Sequence, residues 1–139
     1  AWVFDRDNLD GGTVRDIAGD LDARLSGGAR LDASGNALIL DGTTTVTLSA
    51  GALPRGLPRR SITVEAWVAV EEPGDWGGII SCLQDNGGFE KGWLLGTRNR
   101  RFAFALSTTG ADDGDGAMTY LTADSDFEPG SWYHVAGGL

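Results

Sequence analysis

Apolar and polar positions alternate most regularly over Ser61–Val70, SITVEAWVAV. Ile62, Val64, Ala66, Val68 and Val70 fall on one side of an extended chain, and Thr63, Glu65, Trp67 and Ala69 on the other. The β-branched content favours a strand over a helix. One face is wholly apolar and belongs in a core. The other carries a carboxylate and an indole and is half-buried or lines a groove. Trp132–Ala136 (WYHVA) reads as a companion strand.

The rest of the chain alternates short apolar runs with turn residues. Trp2–Phe4 reads as a first or edge strand, and residues 7–28 as loop, with at most a short helix over Val14–Leu25. Ala29–Leu31 and Ala37–Leu40 flank a turn at Ala33–Asn36 and form a hairpin; Asp41-Gly42 then leads into a strand over Thr44–Leu48. Ala50–Arg60 is a loop. Pro73–Gly78 turns the chain into Ile79–Leu83, and Gln84–Lys91 is a glycine-rich loop. Gly92–Gly96 and Arg101–Ser107 form a hairpin, Thr108–Gly116 is a polar excursion, and Ala117–Thr122 and Ser131–Gly137 are strands around the turn Asp124–Gly130. Many short strands without an amphipathic helix predict an all-β, antiparallel two-sheet sandwich of the jelly-roll type. Residues 1–139 read as one domain. Because sandwiches of this kind often run to roughly 200 residues, and the chain stops directly after a strand, its last strands are expected to be missing.

Composition narrows the function classes. The 22 glycines and 4 prolines suit many turns. A net charge of −9 argues against nucleic-acid binding, which needs a basic face. It suits a secreted, periplasmic or cell-surface protein, or carboxylates gathered for calcium. Cys82 is the only cysteine; it lies in the apolar run GIISCL and reads as a small buried hydrophobe. No apolar run is long enough to span a bilayer. The opening Ala1–Trp2 lacks a starting Met and a signal peptide, so the chain is expected to be a piece of a larger polypeptide with other domains.

In order and spacing, Thr63–Val68 (TVEAWV), Gly78–Ser81 (GIIS), Gly92–Gly96 (GWLLG), Arg101–Phe104 (RFAF) and Trp132–Gly137 (WYHVAG) resemble the strands of the laminin-G-like, concanavalin A-like lectin/glucanase superfamily in its bacterial form. Ala37–Gly42 (ALILDG) and Val14–Gly19 resemble its earlier segments. The resemblance implies a jelly roll. It leaves function open among lectin, adhesion module, glycosidase and spacer. It also implies one calcium ion at a loop edge, for which Asp5, Asp16, Asp41 and Asp85 are the candidates. Later strands of such domains, including one with a "VNG" turn, have no counterpart here.

Glycosidase chemistry needs two carboxylates about 5–9 Å apart. On its own strand Glu65 has Trp67 and Ala69 where a second carboxylate would stand, and Glu71-Glu72 point to opposite faces, so Glu65 reads as a rim or cross-strand residue. His134, the only histidine, shares a face with Trp132 and Ala136 and reads as a hydrogen-bonding residue. Zinc would need more ligands. In Asp112–Gly116 an EF-hand register puts Ala111 and Thr122 where Asp and Glu are required, so that motif fails. Sugar binding needs an exposed aromatic beside polar groups. Trp76, flanked by Gly and Asp, and Phe89, with Asp85, Asn86 and Glu90, are the candidates, Trp76 reading equally as a lid folded onto the sandwich; Trp67 and Trp93 are expected in the core. Taken together these features predict a non-catalytic recognition module whose ligand is a carbohydrate or a protein.

Overall fold

The computed structural model describes residues 1–48, 60–107 and 116–139. The expected loop at 50–60, apart from Arg60, and the excursion at 108–116, apart from Gly116, lie outside the described residues. The sequence treats 1–139 as one domain; by its contacts the chain forms two compact units, Ala1–Leu57 and Pro58–Leu139.

The first unit holds β1 (Leu9–Asp10), β2 (Thr13–Val14), β3 (Ala23–Ser26), β4 (Arg30–Leu31), β5 (Leu38–Ile39) and β6 (Thr45–Leu48). An antiparallel sheet runs in the order β1-β2-β3-β6, and β4 and β5 form the expected hairpin. The segment expected to offer a weak helix holds none: Val14 ends β2, Ala23 begins β3, and the residues between them are a bridge and turns. Val14 and Ala23 face each other across β2 and β3 and are both buried. Trp2–Phe4 is not a strand; Trp2 makes a single bridge to Asp16, and its indole Nε1 donates to Leu21 O at 2.8 Å.

The second unit holds β7 (Thr63–Ala69), β8 (Trp76–Asp85), β9 (Glu90–Arg98), β10 (Arg101–Leu106), β11 (Thr119–Thr122) and β12 (Trp132–Gly138). Two antiparallel sheets form, one in the order β11-β10-β9-β8 and one pairing β12 with β7. The alternation in β7 is realised as expected. Ile62, Val64, Ala66 and Val68 pack against Leu95, Phe104 and Val135. Thr63, Glu65 and Trp67 face outward. Trp67, expected in the core, is 69% exposed: the indole follows the parity of its strand, which places it beside Glu65.

Phe127 closes one end of this core. It lies in the turn before β12, yet is only 2% exposed. Its ring stacks on Phe102 at 4.9 Å, and its N–H donates to Arg100 O at 2.9 Å. Tyr133 packs edge-on against Phe102 at 5.3 Å while its hydroxyl accepts from Glu128 N–H at 2.9 Å, which fixes the turn. The β9–β10 hairpin turns through Asn99 and Arg100, both with positive φ (48° and 64°), as a two-residue turn of the type that matches strand twist.

Candidate functional site

The strand β8 begins earlier than the turn signals suggest. Gly77 and Gly78 pair with Thr97 and Gly96, so Trp76 is the first residue of a strand and not part of a loop. The glycines here serve close packing: a Cβ on Gly96 would run into the backbone oxygen of Gly77. The expected loop Gln84–Lys91 shrinks to Asn86–Phe89, because Asp85 pairs with Glu90. Asn86 N–H donates to Phe89 O at 3.3 Å, and Gly87 N–H to Asp85 Oδ1 at 2.8 Å, closing that turn.

A register shift between Gly78 and Ile80 decides which side chains meet. Trp76 and Asp85 are nine positions apart and would face opposite sides of a regular strand. The extra residue reverses the parity. Trp76 therefore lies across from Arg98, and Asp85 across from Glu90, on one face of β8 and β9. Of the candidate ligand-binding residues, Trp76 and Asp85 stand at the two ends of β8, with Asn86 just beyond Asp85. They mark the two ends of a common surface.

That surface has a floor of small side chains. Gly96, Ala103 and Ala105 occupy it with Leu94 opposite Ala105, and Ala105 is fully buried. Over the floor Tyr120 reaches from β11 and Trp76 from β8, their rings 5.3 Å apart and edge to face. The Arg98 guanidinium lies 4.6 Å from the Trp76 ring and 5.6 Å from that of Tyr120. Trp76 remains 54% exposed. At the other end the Tyr120 hydroxyl donates to Glu90, 3.3 and 3.2 Å from its two carboxylate oxygens, and Met118 N–H donates to Glu90 Oε2 at 3.0 Å. Burial, with the charge of Glu90 next, pushes the Tyr120 hydroxyl up, so it stays a donor at neutral pH. Residues directly opposite in a sheet have Cβ atoms about 4.5–5.5 Å apart. Asp85 and Glu90 are therefore two like charges held side by side, offset by these donors.

A second exposed cluster lies on the outward face of β7 and β12. His134 Nε2 is 3.5 Å from Glu65 Oε2, and its ring is 5.2 Å from that of Trp67. Trp132 on the same face is 57% exposed. Glu65 is thus the cross-strand partner expected of it.

The calcium candidates do not converge. Asp5 Oδ1 accepts from Asp7 N–H and from the backbone N–H and side-chain amide of Asn8. Asp16 accepts from the Ala18 and Leu21 N–H groups. Asp41 Oδ1 accepts from Thr43 N–H, Thr43 Oγ1 and Thr44 Oγ1, which hold its pKa at about 2. Each carboxylate is spent on its own turn. Among the described residues no three His, Cys, Asp or Glu side chains gather as a metal site. No helix among the described residues is long and apolar enough to cross a membrane.

A small cavity of about 90 Å³, lined by Phe104, Leu106, Thr119, Leu121, Gly138 and Leu139, lies on the opposite face of β10 and β11 from Tyr120. It falls well below the roughly 300 Å³ of small-molecule pockets.

Arg98 and Tyr120 were not singled out from the sequence. Their role depends on a register that brings together residues 76, 98 and 120 across strands. The legible part of the signal is the small side chains at 96, 103 and 105, which share one face with Leu94.

A laminin G-type family model, described as the concanavalin A-like lectin/glucanases superfamily, matches residues 40–138. Neither the search of curated proteins nor that of solved structures found a match.

Proposed function

Because the chain belongs to the concanavalin A-like lectin/glucanases superfamily, we propose that it is a binding module whose ligand is a carbohydrate, held on the face of β8–β11 that carries Trp76 and Tyr120. The observation that carries this reading is the 54% exposure of Trp76, fixed edge-on to Tyr120 over a floor of small side chains. A rigid, half-exposed indole offers a flat apolar surface to the C–H face of a pyranose at little cost in side-chain entropy. Asp85, exposed at the far end of the same face, supplies an acceptor for hydroxyl groups. Asn86 and Phe89 extend that end. A glycan-array screen tests the proposal: binding that is lost in Trp76→Ala, with an unchanged melting temperature, supports it. Glycan binding that survives Trp76→Ala contradicts it.

One observation favours a second reading, a glycosidase. Asp85 and Glu90 stand opposite each other across β8 and β9, and glycoside hydrolysis uses two facing carboxylates. Against it, Glu90 is held by Tyr120 and Met118 and Asp85 by Gly87, so both carboxylates support the turn between them. Hydrolysis of a bound glycan that disappears in Glu90→Gln would establish the second reading.

A further inference from the structure

The guanidinium of Arg98 has no ion-pair partner and makes no hydrogen bond among the described residues, although the chain carries a net charge of −9. Its neighbours differ: Arg101 Nε pairs with Asp126 at 2.8 Å, and Arg100 Nη2 donates to Phe127 O at 3.5 Å. Arg98 is held by its stack on Trp76 and Tyr120 alone. From this we infer that Arg98 is the anion-recognising residue of the Trp76 face, and that the ligand is an acidic saccharide, a sugar bearing a carboxylate or a sulfate.

The inference rests on the carbohydrate reading above and adds to it. The Arg98 guanidinium lies against the paired Trp76 and Tyr120 rings, and none of its N–H groups is spent on an acceptor among the described residues. The N–H edge of a guanidinium matches two oxygens of a carboxylate or sulfate at once. A neutral sugar stacked on Trp76 would not need such a group. The same face is also polarised. Arg98 stands at the Trp76 end, while Asp85 and Glu90 stand at the other. An anionic substituent is attracted at the first end and repelled at the second, so an acidic sugar can be seated in one direction only. Partial shielding by the rings strengthens the attraction over that of a fully solvated pair.

Calorimetric titration of the protein with three tetrasaccharides tests this: a galacturonate tetramer, a heparin-derived tetramer and a neutral galactose tetramer. The expected result is binding of at least one acidic probe in preference to the neutral one, weakened by added salt. Arg98→Gln should weaken that acidic probe about ten- to a hundredfold and abolish the preference. Arg98→Lys, which keeps the charge but loses the fork and guards against misfolding of the Gln variant, should fall between. Which acidic probe responds tells carboxylate from sulfate. Neutral binding as tight as acidic binding, lost in Trp76→Ala but untouched by Arg98→Gln, would overturn the acidic preference and leave the carbohydrate reading standing. Acidic binding unaffected by Arg98→Gln would overturn the role of Arg98. Failure of the wild-type protein to bind any glycan on an array would remove the carbohydrate reading itself, and this inference with it.

Discussion

Gly137 lies directly against the ring of Phe104: a Cβ built on the glycine would sit 2.6 Å from Phe104 Cγ and Cδ2. Gly137 is on β12 and Phe104 on β10, so this contact sets how closely the two sheets of the second unit approach. Gly137→Ala should therefore destabilise the protein by about 1–3 kcal/mol, since a packed core must shift to admit the methyl. Denaturant unfolding measures it. Phe104→Leu in the Gly137→Ala background should recover part of the loss, a coupling that independent sites would not show.

The two faces of β7 give a second expectation. Val64 packs into the core and Thr63 points outward. Val64→Asp buries an unpaired charge and should cost more than about 4 kcal/mol, enough to unfold the unit. Thr63→Asp should cost under about 1 kcal/mol. Equal losses in thermal melts would contradict the assignment of faces.

This strand was the most legible part of the chain, because an apolar-polar alternation maps directly onto two faces. The β4–β5 and β9–β10 hairpins were equally plain from their turn residues. What escaped were features set by register. Glycine at 77 and 78 signals a turn by its local chemistry, yet here it permits two strands to touch. Trp67 reads as core because it lies within a strand, although its own strand parity puts it beside Glu65. Phe127 sits among Asp, Glu, Pro and Gly in a segment read as a surface turn, and only the packing of Phe102 and Tyr133 explains its burial. The candidate site was legible only as its two ends, Trp76 and Asp85. The bulge that puts them on one face, and the partners Arg98 and Tyr120, follow from pairings between distant segments.

Arg100 occupies a left-handed conformation, φ 64°, that glycine adopts without steric cost. Arg100→Gly should raise stability by about 0.5–1 kcal/mol, read as a higher midpoint in denaturant. A drop instead would mean that the weak Arg100 contact to Phe127 O outweighs the backbone strain.

Acid should loosen the first unit through its turns. Asp32 and Asp41 both have folded-state pKa values held at about 2 against 3.8, chiefly by hydrogen bonds from Ser34 and Thr43 respectively. Because the folded value lies below the unfolded one, their contribution is complete above about pH 4 and is lost as pH falls through about 2. Asp41→Asn should flatten the fall in melting temperature over that window. An unchanged acid profile would contradict the role given to the Thr43 and Thr44 donors.

The two exposed aromatic faces of the second unit separate in a single experiment: titration of one array-selected glycan into wild-type protein, Trp76→Ala and Trp67→Ala, each with a thermal melt. A stacking aromatic at the centre of a site contributes enough that its removal weakens binding roughly ten- to a hundredfold. Trp76→Ala should show that loss with little change in melting temperature, and Trp67→Ala should bind as wild type does. Loss of affinity in Trp67→Ala with Trp76→Ala unaffected would place the ligand on the outward face of β7 and β12 and contradict the assignment of the β8–β11 face.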